Sequence, residues 1–470
     1  MQRWATTTAR PVAATDDPQT AACEGIAGHG RLVLVVGPAG TGKTHTTARA
    51  VAALQAESRP VVGLAPSGKA ADVLATEARC PTDTVAGFLT RHRSGPSPWP
   101  AGTTVILDEA AMTATADLAR LVDLVRANRW RLVAVGDPEQ LPSVARGGVF
   151  AHWCDTIAHH TLHTPRRFTQ PWEATASVGL RAGRPEAVDA YAVHGRLHTA
   201  HPALVASQVA HAHQRHVAAG RTVAITTNTA ETARAVNREI QWLLHPGACD
   251  TIALHDNTTA HVGDRIATRR NDPALRTDHG ERVRNRHTWT ITATHPDGSL
   301  IAHHHERGQV TLPPSYVVHH VELGWAVTGY GTQGDTAEIG IAVLDASTSR
   351  NHAYVAMTRG LYANHALILD PDGTDDPTER LAQIITRPAA AESALAVQRR
   401  LHRAVGVEPP EPDHPVPNEP AREKPSILPR PKRPAYVEPS LRDRVRAAQQ
   451  RLDRLQHRAA QRGHDRSLGL

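Results

Sequence analysis

The sequence predicts an α/β chain with two parallel-sheet domains, a small β-rich insertion in the second, and a disordered or helical C-terminal tail. Three observations predict it. Within a first domain expected at residues 1–150, apolar Val/Ile/Leu runs alternate with helical patterns over 30–150, as parallel strands buried on both faces require. The alternation returns over 151–245 and 317–390, broken by a polar, turn-rich stretch at 246–316. Eleven prolines fall between Pro409 and Pro439, a density that favours extended linker over packed core.

In chain order, the first strands are expected at Arg31–Gly37, Pro60–Ala65, Thr103–Asp108 and Arg131–Gly136. Helical patterns near Lys43–Ala56, Lys69–Ala78, Val85–His92 and Ala114–Ala127 lie between them. The best strand of the second half is Val223–Asn228, followed by a helix at Ala230–Leu244. Short alternating runs such as Thr288–Thr292, and the turn Pro296-Asp297-Gly298, mark the insertion. Alternation of helix and strand resumes at Val321. Beyond the linker at 406–439, a basic helix is expected over 440–463, with Leu441, Val445, Ala448, Leu452, Leu455 and Ala459 on one seam. It reads as a solvated helix, a partner or self-association helix, or a DNA-binding arm.

Composition narrows the function classes. Net charge is +6 with a pI near 9.4, which favours a polyanionic partner. No apolar stretch approaches the ~20 residues of a membrane span, so membrane insertion is not expected. The four cysteines, Cys23, Cys80, Cys154 and Cys249, lack C-x-x-C spacing, which argues against a zinc site or disulfide framework. Arg3 and Arg10 precede no apolar signal core, and a reducing cytoplasm is the expected compartment. His303-His304-His305 sits in a strand-like run without a partner cluster, so metal binding there is not expected.

Gly37-Pro38-Ala39-Gly40-Thr41-Gly42-Lys43-Thr44 matches the pattern G-x-x-x-x-G-K-[ST] at every fixed position. It lies between an apolar strand and a helix, where glycines let backbone amides turn toward an anion and the helix end adds its dipole. Lys43 would reach the β/γ-phosphates of a bound nucleotide, and Thr44 would hold Mg²⁺. Lysine is scarce, at four of 52 basic residues, so its use here marks a site for a compact ammonium. Asp108 and Glu109 end a strand: the first carboxylate would hold the metal, the second would polarise attacking water. Gln140, in the loop after Val133–Gly136, would sense the γ-phosphate through water; the alternative is a plain Gly136-Asp137-Pro138 turn. Arg167 and Arg359 are candidates to neutralise transition-state charge, each expected to reach across a domain cleft. From position alone, each also reads as a surface ion-pair residue.

In order, these segments resemble the motif series of superfamily 1 helicases, which implies RecA-like domains. Ala65–Ala71 resembles the motif after the second strand that touches single-stranded DNA. Asp108-Glu109-Ala110-Ala111-Met112 resembles the Asp-Glu-Ala box, and Gly136–Val144 the third motif. Pro165-Arg166-Arg167-Phe168 resembles the fourth, Val321–Thr328 through Gln333–Thr336 the fifth, and Tyr354–Gly360 the sixth, whose arginine is the finger. The series covers roughly 15–390. The chain resembles the RecD-like branch, which moves 5′ to 3′, and within it the helicase region of TraA/TrwC-type (MobF) conjugative relaxases. Val262–Ile266 and Arg284–Trp289 are similar to that family's inserted β module.

The resemblance implies an adenine-contacting glutamine at Gln19, a nucleotide contact at Gly334, and DNA contacts at Ser67, Lys69, Thr84, Thr328, Tyr330 and Thr332. Ser67 and Thr84 equally read as N-caps. The family commonly carries His where Tyr330 stands, and its usual leucine is missing beside Gln19. Such relaxases also carry a strand-cutting domain, which is not expected within the 36 residues before Gly37. Few aromatics are present, so sequence-tolerant, salt-sensitive DNA binding is expected. The short Phe88–Val105 gap leaves only the Gly95–Pro100 loop with Trp99 as a strand-separating pin. The expectation is therefore an ATP-dependent helicase or translocase on single-stranded DNA in conjugation or recombination. The rivals are a DNA-stimulated ATPase that does not unwind, and a non-catalytic binding subunit.

Overall fold

The computed structural model describes residues 1–8, 17–92, 97–247, 252–373 and 376–387. Contacts divide the chain into Met1–Glu408 and Pro409–Leu470, and the described residues all fall in the first unit. The linker at 406–439, the helix expected over 440–463, Cys249 and part of the Trp99 loop lie outside them.

The first sheet is parallel throughout. Its strands are β1 (Leu32–Val36), β2 (Val61–Ala65), β3 (Thr82–Thr84), β4 (Thr104–Leu107), β5 (Arg131–Gly136) and β6 (His160–Thr161), in the order β3-β2-β4-β5-β1-β6. β1 pairs β5 from Leu32↔Leu132 to Val36↔Gly136. Every residue of β1, β2, β4 and β5 is buried, because helices cover both faces. On one face, Val33, Val35, Ile106 and Val133 pack with Ile26, Val51, Leu54 and Leu74. On the other, Leu32, Leu34, Val105 and Leu132 pack with Leu118, Leu121, Val125 and Trp153. Each fully buried Leu or Val contributes about 1.5–3 kcal/mol.

This sheet extends beyond the boundary expected at residue 150. β6 pairs β1 through Val35↔His160 and Val36↔Thr161. The two-residue strand carries no apolar run, so the sequence gives no strand signal there.

The second sheet holds β7 (Leu197–Ala200), β8 (Val223–Thr227) and, after the insertion, β18 (Ala326–Thr328), β19 (Ala337–Leu344) and β20 (Gly360–Leu369). All pair in parallel, in the order β18-β8-β19-β20-β7. The helix Ala230–Leu244 packs against it, its N-terminus capped by the Thr229 hydroxyl, which accepts from Thr232 N at 3.1 Å.

The insertion comprises β9 (Ile252–Ala253), β10 (Thr259–Ala260), β11 (Arg265–Thr268), β12 (Asp272–Arg276), β13 (Arg282–Val283), β14 (Thr288–Thr294), β15 (Leu300–His304), β16 (Gly308–Leu312) and β17 (Val321–Leu323). Five of these form an antiparallel sheet, β16-β15-β14-β11-β17. β17 pairs β11 through Ile266↔Leu323 and Thr268↔Val321. The insertion therefore runs to Leu323 rather than 316, and the parallel sheet resumes at Ala326 rather than Val321. A three-residue strand with Val321 and Leu323 inside and Glu322 between suits either sheet, so pattern alone could not assign it. Asn237 fixes the junction by donating to Leu323 O and Ala326 O, both at 3.0 Å, and accepting from Ala326 N at 2.7 Å.

Candidate active site

The phosphate loop leaves β1 and enters the helix Lys43–Ala56. Gly40 and Gly42 hold φ of +77° and +82°, the left-handed region that costs other residues strain. Space is as restrictive as conformation: a Cβ on Gly40 would stand 2.5 Å from Arg167 Cβ, and one on Gly37 2.5 Å from Thr41 Oγ1. Gln19, on the Pro18–Ala27 helix, donates to Thr41 O at 3.0 Å. Arg166 N donates to Gly40 O at 2.7 Å. The Lys43 ammonium donates to Gly37 O at 2.8 Å and Pro38 O at 3.3 Å. The cradle is thus built before any ligand contact is considered.

Asp108 and Glu109 follow β4 on the same sheet edge. Burial, and next the Glu109 charge, push the Asp108 carboxyl up to about 7, while Lys43 pulls it down. Glu109 sits at φ 48°, ψ 43°, left-handed for a non-glycine residue, a conformation that costs about 1–3 kcal/mol and clusters at functional sites. Glu109 N donates to Asp108 Oδ1 at 2.9 Å.

Neither arginine behaves as a surface ion-pair residue. Arg167 donates to Thr358 O at 2.6 Å. Arg359 is 3% exposed and donates to Val355 O at 2.8 Å, Asp335 O at 3.2 Å and Thr332 O at 3.4 Å. Burial, then Arg167, pull its guanidinium down to about 10, while Glu109 is among the groups that raise it. From its position Arg167 is expected to approach from the second half; its backbone instead belongs to the first sheet's side, and its guanidinium reaches the second sheet's side at Thr358 O. Arg167 follows β6 of the first sheet and stands directly over Gly40. Arg359, between the second sheet's strands β19 and β20, does come from the other side.

The two sheets meet through residues that sequence reasoning passed over. The Tyr354 hydroxyl accepts from Ala39 N in the phosphate loop at 2.6 Å and donates to Asp137 Oδ2 at 3.2 Å. Asp137 Oδ1 accepts from Arg181 at 2.8 Å. Asn351 donates to Glu139 O and Gln140 O at 2.8 and 2.9 Å, and Arg350 pairs with Glu139 at 2.8 Å. Gln140 is buried, its Oε1 accepting from Gln333 Nε2 at 3.4 Å. The Gly136–Gln140 loop is therefore a strut between sheets and not an isolated turn. An Asp-Pro pair after a buried strand was the available signal, but its partner on the second sheet's side, Tyr354, lies 217 residues away.

Of the residues assigned to DNA by resemblance, Ser67 and Thr84 do cap helices: they accept from Ala70 N at 3.2 Å and Gly87 N at 3.0 Å. Lys69 pairs with Asp335 and donates to Gly331 O at 3.4 Å. Thr332 is buried, its hydroxyl donating inward to Gly329 O at 3.2 Å. Thr328 is half-buried, whereas Tyr330 is exposed. Trp99 packs against the first sheet's core beside Trp130, which does not suit a projecting pin. Gly334, φ +85°, has open space where a Cβ would stand.

The donor set fits Mg²⁺ with a triphosphate: a glycine cradle closed to side chains, a half-buried carboxylate pair, a threonine hydroxyl at the helix start and three cations around them. Among the described residues no group of three His, Cys, Asp or Glu forms another metal site, and no helix is long and apolar enough to cross a membrane. Cys23, Cys80 and Cys154 are free thiols.

Two facing parallel sheets with a phosphate loop between them define the P-loop ATPase class, and residues 14–202 match the family described as AAA domain. The fold is that of a helicase: it resembles the Pif1 helicase from Bacteroides with a TM-score of 0.54 at 14% identity, over 84% of this chain and 98% of that one. The chain is 30% identical over 350 residues to the probable conjugal transfer protein TraA of Sinorhizobium fredii, covering 73% of this chain and 31% of TraA. It is 33% identical over 215 residues to the RecBCD enzyme subunit RecD of Mycolicibacterium smegmatis, covering 39% and 38%. It is thus related to superfamily 1 RecD-like helicases and to the helicase region of TraA. It spans about a third of the length of the TraA proteins it matches.

Proposed function

We propose that the chain is an ATP-driven motor that moves 5′ to 3′ on single-stranded DNA and serves plasmid conjugation or recombination. The observation that carries this reading is the bond between Ala39 N and the Tyr354 hydroxyl, which ties the phosphate loop directly to the opposite sheet. A loop so tied transmits its state to a second body, as a motor needs. Conjugal transfer relatives, a RecD subunit and a fold shared with a helicase crystallised with ssDNA support DNA as the track.

In this reading the loop amides and Lys43 bind the phosphates of ATP, with Gln19 beside the base and Gly334 lining the cleft. Thr44 and Asp108 would hold Mg²⁺, which would neutralise phosphate charge when bound. Glu109 accepts the proton of the attacking water. Gln140 couples the γ-phosphate position to Gln333, and Arg167 with Arg359 offsets charge spreading in the transition state. Ser67, Lys69, Thr84, Thr328, Tyr330 and Thr332 mark the expected DNA path, with Tyr330 the exposed contact. The basic segment 440–463, for which the sequence predicts a helix, is a candidate partner or self-association element.

The test is ATP turnover with and without single-stranded DNA. Lys43→Ala should cut DNA-stimulated turnover by about 10²-fold or more; turnover at the wild-type level would refute the site. The packing of Trp99 favours a second reading, translocation without strand separation. Unwinding of a 5′-tailed duplex, with a 3′-tailed one as control, decides between them.

A further inference from the structure

The segment Thr332–Asp335 is a tight turn. Asp335 N donates to Thr332 O at 2.9 Å, Gln333 has φ −62° and ψ 131°, and Gly334 has φ +85°. These are the angles of a type II turn, which needs glycine at its third position. The turn touches three different parts of the molecule. Gln333 donates to Gln140 on the first sheet. The backbone oxygens of Thr332 and Asp335 hold the Arg359 guanidinium. The Asp335 carboxylate pairs with Lys69 at the start of the Gly68–Ala78 helix.

The last contact is the informative one. Lys69 is one of two lysines before residue 424, and 14% of its side chain is exposed. Burial lowers its pKa and Asp335 is the largest influence raising it. Arg265 of the insertion also faces Asp335 electrostatically, and its guanidinium makes no hydrogen bond or ion pair among the described residues. One carboxylate thus stands among cations that have no other anion at hand. A carboxylate so placed occupies the seat that a phosphodiester oxygen would take.

We propose that Asp335 is a positioning residue that stands in for a DNA backbone phosphate at Lys69 and thereby holds Arg359 in check until DNA binds. The inference rests on the ATP-driven reading above. Without DNA, the Lys69–Asp335 pair anchors the turn, and the turn's carbonyls keep Arg359 bonded to backbone. A DNA phosphate at Lys69 displaces the carboxylate, the turn loosens, and Arg359 is released toward the Glu109 side of the cleft. Lys69 then acts as the point where DNA binding is felt, and Asp335 as the reason hydrolysis waits for it. Gln333, on the same turn, carries the displacement to Gln140.

The experiment compares wild type with Asp335→Asn, Asp335→Ser and Asp335→Glu, measuring turnover with and without an unstructured DNA 20-mer and 20-mer affinity at several salt concentrations. Asp335→Asn and Asp335→Ser should raise DNA-free turnover about fivefold or more, the low end of usual coupling between sites. They should lower the stimulation factor correspondingly and bind the 20-mer more tightly. Asp335→Glu, which keeps the charge, should behave as wild type. A merely structural role would lower turnover and could not raise it. If wild type is stimulated by DNA but both neutral variants keep its DNA-free rate and stimulation factor, or lose activity, the inference is overturned and the proposed function stands. A wild-type chain with no DNA-stimulated turnover would overturn both.

Discussion

The Tyr354 hydroxyl offers the most direct test of how the two sheets communicate. Tyr354→Phe removes one oxygen from a core position that is 1% exposed and leaves the ring in place. Two buried groups then lose a partner: Ala39 N–H, bonded at 2.6 Å, and Asp137 Oδ2, bonded at 3.2 Å. Each such loss costs about 1–3 kcal/mol. Asp137 keeps Arg181, which limits its share, so the sum is about 2–4 kcal/mol. At about 1.4 kcal/mol per tenfold, opening of the Ala39 amide becomes about 30- to 1,000-fold more frequent. Hydrogen exchange of peptides containing Ala39 reads this directly, because a buried bonded amide exchanges only when its region opens. A double-mutant cycle with Asp137→Asn, read through the same amide, should show a coupling of about 1 kcal/mol or more. Unchanged Ala39 exchange in Tyr354→Phe, or effects that add within about 0.3 kcal/mol, would refute the network.

Gly40→Ala should weaken nucleotide binding about tenfold or more, since φ +77° and the 2.5 Å approach to Arg167 Cβ both oppose it. Gly220→Ala, equally left-handed but with nothing within 4 Å, should cost only about 1 kcal/mol of stability and leave binding intact; equilibrium titration with a fluorescent ADP and urea unfolding separate the two. Mg²⁺·ATP binding should release a proton near neutral pH, because burial raises Asp108 to about 7 and the metal needs the ionised form; calorimetry in buffers of different ionisation enthalpy measures it. Glu173 is fully buried, its Oε1 taken by Asn364 and its Oε2 without a partner, and burial raises its pKa. A raised folded-state value means that its contribution to stability is present at low pH and lost as pH rises through that value. Glu173→Gln should therefore flatten that loss, so that the variant gains stability relative to wild type as pH rises above the ordinary carboxylate range, as urea midpoints would show.

What could be read in the sequence was what local pattern controls. The strands at Leu32–Val36, Val61–Ala65, Thr104–Leu107 and Arg131–Gly136 are continuous apolar runs because both their faces are covered. The helix Ala230–Leu244 has a cap and a clear period. The loop Gly37–Thr44 is legible because its glycines answer to backbone geometry. What escaped was set by distant partners. His160–Thr161 is a strand only because β1 has a free edge, and Val321–Leu323 joins whichever sheet offers a neighbour. Tyr354 and Asp137 form a site only through a fold that brings together positions 217 residues apart. Asp335 has no local signature, since a carboxylate matters there only because Lys69 arrives from another domain.

The second sheet cannot be finished early. β8 ends at Thr227, yet its neighbours β18 and β19 begin at Ala326 and Ala337, on the far side of the insertion. A growing chain at roughly 5–20 residues per second completes the first sheet at Thr161 and then waits about 10–40 s for Leu369. During that interval the phosphate loop exists without Tyr354, and the surface that Asn351 and Arg350 will cover is bare. Such a nascent chain is open to wrong pairings at the edge of β8, and the insertion must be synthesised before the cleft can close. The order of synthesis thus leaves the ATP site incomplete until most of the described unit has been made.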